Sequence, residues 1–89
     1  MSDQREAVRA ILECIFRDIF DDEEIQLRYD MSADDIEGWD SLMHITIIVS
    51  VEKRFGIRAS AAEVGHLENV GAFIDLIIDR TGDRLNEYI

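Results

Sequence analysis

Apolar residues recur at helical spacing along this chain, and no stretch shows the polar–apolar alternation that a half-buried strand needs. Ala7, Val8, Ile11, Leu12, Ile15, Phe16 and Ile19 step by one and three, which makes one stripe of an amphipathic helix. Asp3 with Glu6 supplies a cap and a first-turn carboxylate, so this helix is expected over about 3–19. A second helix opens at Asp40-Ser41-Leu42 and runs over 41–55, to Phe55, where Gly56 offers a left-handed stop. Ser60 and Glu63 have capping-box spacing and start a short third helix over 61–65. The last, over 70–81, follows Asn69 and carries Val70, Phe73, Ile74, Ile77 and Ile78 on one face. Leu85, Tyr88 and Ile89 suggest a helical tail over 83–89. Proline is absent. The fold class that follows is all-α, a small four-helix bundle with a long first loop and a short third helix. At 89 residues, 1–89 forms a single domain, with enough chain for one core but not for a core plus a deep catalytic cleft.

Charge narrows the function classes. Acidic residues number 20 against 9 basic, a formal net charge of −11. That balance excludes nucleic acid, whose phosphates demand a basic footprint, and equally an anionic membrane surface. A single cysteine, Cys14, excludes an intramolecular disulfide and a cysteine-based zinc site. Beside the first stripe, it reads as a small half-buried hydrophobe. The first five residues are polar, with no apolar signal core, and no apolar run approaches a membrane span, so a cytoplasmic protein is expected.

The charge is concentrated. From Asp18 to Asp40 ten carboxylates face Arg28 alone, a local charge of −9. Either this is a solvated loop kept soluble by its charge, or it is a docking surface for basic partners. The connection from Phe20 to Asp40 is long for a compact domain. Ile25, Leu27, Met31 and Ile36 can pin it to the bundle, and Ser32 with Asp35 suggests a capped turn in its middle. Asp30, Ser32 and Asp34 match the first ligands of a calcium loop, but Asp35 replaces its glycine and Ser41 its bidentate glutamate, so no metal site is expected.

The second helix carries more apolar residues than one core face needs. His44, Ile47, Ile48, Val51 and Phe55 cluster on one side and are assigned to the core, with His44 at its rim or touching whatever is attached nearby. Leu42, Ile45 and Val49 lie nearly opposite, either exposed as a docking stripe or covered by another element. Ser41 stands in the first turn, where Asp40 can cap the helix and a phosphate ester would meet free N–H groups. A Ser41–His44 nucleophile pair fails for want of an oxyanion hole, a residue to orient the imidazole, and enough protein to enclose a substrate.

Gly38-Trp39-Asp40-Ser41-Leu42, followed by an apolar helix ending Val51-Glu52-Lys53-Arg54-Phe55-Gly56-Ile57, closely resembles the acyl carrier protein family. So does a last helix beginning Asn69-Val70-Gly71-Ala72-Phe73, and the likeness runs from the first helix to about Thr81. The resemblance implies an acyl-carrier-like bundle that is a carrier and not an enzyme. Ser41 would be esterified by 4′-phosphopantetheine, transferred from coenzyme A by a phosphopantetheinyl transferase that reads Asp40 and Leu42. The arm's thiol would hold acyl or aminoacyl cargo as a thioester. Trp39, Asp40, Leu42, Ile45 and Val49 would face partner enzymes, while Ile47, Ile48, Val51 and Phe55 would line the space into which some carriers fold an acyl chain. A monomer is expected.

Two departures point away from the housekeeping fatty acid carrier. Family members of that kind bear carboxylates soon after the serine, whereas this chain reads Met43-His44-Ile45-Thr46-Ile47, with no acid until Glu52. Trp39 before Asp40 also looks like discrete carriers of polyketide, peptide, aminoacyl or modified fatty acid pathways. Loading by an acyl- or aminoacyl-activating ligase, and use by downstream acyl-transfer enzymes, is therefore expected. The alternative is an unmodified acidic helical adaptor that binds a basic partner through Leu42, Ile45 and Val49.

Overall fold

The computed structural model describes residues 4–89. Its helices are α1 (Gln4–Phe20), α2 (Ser41–Phe55), α3 (Ala61–Gly65) and α4 (Val70–Thr81), with 3-10 turns at Ala33–Asp35 and Gly82–Glu87. No strand occurs among the described residues, and the cap expected from Asp3 lies outside them.

The apolar stripes meet in one core. α1 packs on both α2 and α4, α3 leans on α2, and the C-terminal 3-10 turn closes against α4. Val8, Leu12 and Phe16 from α1, Ile47, Val51 and Phe55 from α2, and Ile74 and Ile77 from α4 are almost wholly buried. Each such side chain contributes about 1.5–3 kcal/mol of burial free energy. Cys14 is exposed, contrary to the sequence reading. It is placed one turn-step too far round the helix to share the stripe.

Local chemistry sets the helix ends. α1 stops without a glycine: Asp21 takes a left-handed φ of 51°, and the Asp22 N–H reaches back to the Arg17 carbonyl at 3.1 Å. Gly56 ends α2 at φ 62°, and the Ile57 N–H closes onto the Glu52 carbonyl at 3.2 Å. In α3 the Ser60 hydroxyl accepts from the Glu63 N–H, while the Glu63 carboxylate accepts from the Ser60 N–H. Asn69 caps α4 by accepting from the Ala72 N–H at 2.9 Å.

The long connection is tied down at both flanks. Leu27, Met31 and Ile36 are buried in the core. Arg17 donates to the Ile25 carbonyl at 2.9 Å, and Arg9 to the Leu27 carbonyl at 3.2 Å. Glu13, itself gripped by Arg9 at 2.9 Å and Arg17 at 3.2 Å, accepts the Leu27 N–H at 3.0 Å. On the other side, the first-turn N–H groups of Val70 and Gly71 donate to the Met31 and Tyr29 carbonyls at 2.7 and 2.8 Å. Gly71 permits this approach, because a Cβ there would stand 3.0 Å from the Tyr29 carbonyl oxygen. In its middle, the Ser32 N–H donates to the Asp35 carboxylate at 2.9 Å.

Candidate functional site

The fixed connection delivers the segment 36–40 to the start of α2. Gly38 turns there at φ 87°. Trp39 is half-buried, its ring edge-on to Phe16 at 5.2 Å. Its indole N–H donates to His44 Nδ1 at 3.3 Å, and the two rings stack at 6.1 Å. Trp39 is thus anchored on Phe16 and His44, fixing where α2 begins, while part of its ring stays at the surface. Asp40 follows in extended conformation, and its Oδ1 accepts from the Met43 N–H at 2.9 Å.

This places Ser41 at the first residue of α2, exposed, beside N–H groups that have no intrahelical partner and at the positive end of the helix dipole. An open groove of about 490 Å³ runs past it, between Trp39, His44, Ile45 and Ala61. A phosphodiester fits these surroundings. The helix start supplies donors, the neighbouring carboxylate of Asp40 is engaged by Met43, and the groove leaves room for a chain to lie along the surface.

The outward stripe of α2 is uncovered. Leu42 is 71% exposed, Ile45 52% and Val49 41%, so neither the connection nor the tail covers them. Thr46, between them, turns its hydroxyl back onto the Leu42 carbonyl at 3.0 Å. The stripe thus presents carbon and little else. All ten carboxylates from Asp18 to Asp40 are likewise exposed, so an acidic surface lies beside an uncharged one.

His44 sits at the rim of the core, half-buried; its Nδ1 accepts from the Trp39 indole and makes no bond to Ser41, so the nucleophile pair set aside above has no hydrogen bond here. Ile47, Ile48, Val51 and Phe55 are packed in the core. A cavity of about 110 Å³ opens beside α2, lined by His44, Met31, Val64, Leu67, Val70 and Phe73 among others. It lies on the α3–α4 side, and nothing in the helical pattern of α2 alone could locate it. Among the described residues no group of three or more His, Cys, Asp or Glu side chains could hold a metal. No described helix is long and apolar enough to cross a membrane.

Comparison with known proteins agrees with this geometry. The family described as phosphopantetheine attachment site matches residues 8–77. Among solved structures, the chain is similar to the holo acyl carrier protein from Geobacter metallireducens, determined by solution NMR. Identity is 38%, the TM-score is 0.79, and the match covers 92% of this chain and 94% of that one. Comparison with curated proteins gives no match.

Proposed function

This chain belongs to the phosphopantetheine attachment family of acyl carrier proteins, and on that premise we propose that Ser41 is the residue to which its 4′-phosphopantetheine is esterified. The chain is a carrier and leaves catalysis to others: it interacts with a phosphopantetheinyl transferase and with acyl-processing enzymes. The covalently attached group supplies a thiol on which acyl cargo is held as a thioester. The adaptor reading, which gave Ser41 no task beyond helix entry, gives way to family membership.

One observation carries the assignment to Ser41. Its hydroxyl stands exposed on the first turn of a helix whose N–H groups face the position a phosphate would take, with a groove leading away from it. Asp40 holds that turn in place through Met43 and keeps its carboxylate at the surface for the transferase to read, with Leu42 beside it. Leu42, Ile45 and Val49 form the contact that client enzymes desolvate, while Trp39 positions the turn from within.

The lack of charge along α2 supports a reading of the pathway. Between Ser41 and Val51 its only ionisable side chain is His44, so a client that grips an acidic α2 through several ion pairs would find none here. This supports a dedicated carrier for a polyketide, peptide, aminoacyl or modified fatty acid pathway, acting as a cytoplasmic monomer and loaded by its own acyl- or aminoacyl-activating ligase.

Intact mass after incubation with coenzyme A and a broad-specificity phosphopantetheinyl transferase tests the attachment site. Wild type should gain one phosphopantetheine and Ser41→Ala none. A gain that survives in Ser41→Ala would move the arm to another residue.

A further inference from the structure

His44 presents a polar atom that attachment and client docking leave unused. A neutral imidazole that accepts at Nδ1, as His44 does from Trp39, carries its proton on Nε2. That Nε2 is buried and has no hydrogen-bond partner among the described residues. An unmet buried donor bears its full desolvation penalty, so such a group is either a defect or is answered by something that arrives later.

The space around His44 supplies the means. The cavity of about 110 Å³ is walled largely by apolar side chains. A water needs only roughly 10–15 Å³ on that measure, so there is room for several heavy atoms. This cavity and the groove past Ser41 share Ala33, Trp39 and His44. A chain anchored at Ser41 and lying in the groove therefore passes His44, one helical turn on, before it can enter the cavity.

We infer that His44 Nε2–H and this cavity form a subsite for a carbonyl-class hydrogen-bond acceptor carried on the arm, either one of the arm's own amide oxygens or an oxygen of its cargo. This rests on Ser41 as the attachment point. An acceptor entering the cavity satisfies a donor that is already desolvated and already oriented by Trp39, so little has to be reorganised. A saturated chain fills the same volume and leaves Nε2 unanswered. His44 is thus a specificity-determining residue that favours arm segments with an oxygen at this depth.

The test uses wild-type protein with isotope-labelled histidine, so no variant has to fold. The His44 imidazole is followed by NMR in the apo form, the holo form, and holo protein charged with butyryl or with acetoacetyl, near-isosteric groups that differ by one carbonyl. Capture of an acceptor should move the Nε2 resonance and slow Nε2–H exchange with solvent by roughly fivefold, the effect of one net hydrogen bond. A change already present in the holo form assigns the acceptor to the arm. A change common to both charged forms assigns it to the thioester oxygen, and one confined to acetoacetyl to the cargo's own carbonyl. An imidazole unchanged from apo in all three loaded forms overturns the subsite. Intact mass is recorded on every sample, so that result leaves the attachment site standing, whereas absence of a mass gain at Ser41 overturns both.

Discussion

Asp40 is asked to do two things, and a pair of substitutions separates them. Its Oδ1 caps α2 through the Met43 N–H at 2.9 Å, and its exposed carboxylate is the proposed signal to the transferase. Asp40→Ala removes the cap, which costs about 1 kcal/mol. It also removes a negative charge from the helix start, about 0.3–1 kcal/mol more. For a domain of this size each kcal/mol shifts Tm by roughly 4–8 °C, so Ala should melt roughly 5–16 °C early. Asp40→Asn keeps an amide oxygen for Met43 and loses only the charge, so its Tm should fall by roughly 1–8 °C, less than that of Ala. The two variants should nevertheless load alike. If the transferase reads the carboxylate, both lose at least about tenfold in kcat/KM, or about 1.4 kcal/mol. Melting curves give the first comparison. Time courses of phosphopantetheinylation by intact mass, taken well below both melting temperatures, give the second. Asn loading at the wild-type rate would show that Asp40 is a cap and nothing more, and an Ala variant as stable as wild type would sink the cap.

Two further outcomes follow from the fold. Gly56→Ala forces an L side chain into the left-handed region and sets its Cβ 2.6 Å from the Tyr88 hydroxyl, for a loss of about 2 kcal/mol in urea unfolding. In a Tyr88→Leu background the increment should shrink to about 1 kcal/mol, the backbone part alone, and an equal loss in both backgrounds would dismiss the clash. Acid should destabilise the protein through Glu6 and Glu63. The hydrogen bond from Arg9, aided by Tyr29, holds Glu6 below the ordinary carboxylate value of 4.5, and the bond from Arg80, aided by the Ser60 N–H, does the same for Glu63. Carboxyls depressed on folding add stability that is complete above pH 4.5 and lost as pH falls through their folded values. Replacing both with glutamine should flatten the acid limb of Tm against pH, and a limb of unchanged slope would count against these pairs.

What the sequence disclosed was local or periodic. Asp40, Ser60 with Glu63, Asn69 and Gly56 each mark a helix end within four residues, and the two faces of α2 separate on a helical wheel. What stayed hidden depends on partners far along the chain. The Arg9–Glu13–Arg17 ladder looks like ordinary surface pairing until the Leu27 backbone is seen bonded to it. Gly71 reads as a weak helix residue until the Tyr29 carbonyl appears above it. His44 was legible as a rim residue, but no pattern within α2 reveals that Trp39, from the preceding segment, occupies its Nδ1. The end of α1 was placed to within one residue by where the apolar stripe stops, but its left-handed stop was not legible, since Asp21 adopts a conformation normally signalled by glycine.

The acidic connection and the uncharged stripe of α2 divide a client's encounter between two clocks. Ten exposed carboxylates project a field over roughly a Debye length, about 8–10 Å at moderate salt. Toward a basic client they would set how fast it arrives. The proposed contact through Leu42, Ile45 and Val49 would act only once water has left the interface, and so would set how long a client stays. Ionic strength should slow arrival and leave residence almost untouched. A carrier that must visit one enzyme after another gains from this separation, because the speed of each encounter and its duration can then be set independently.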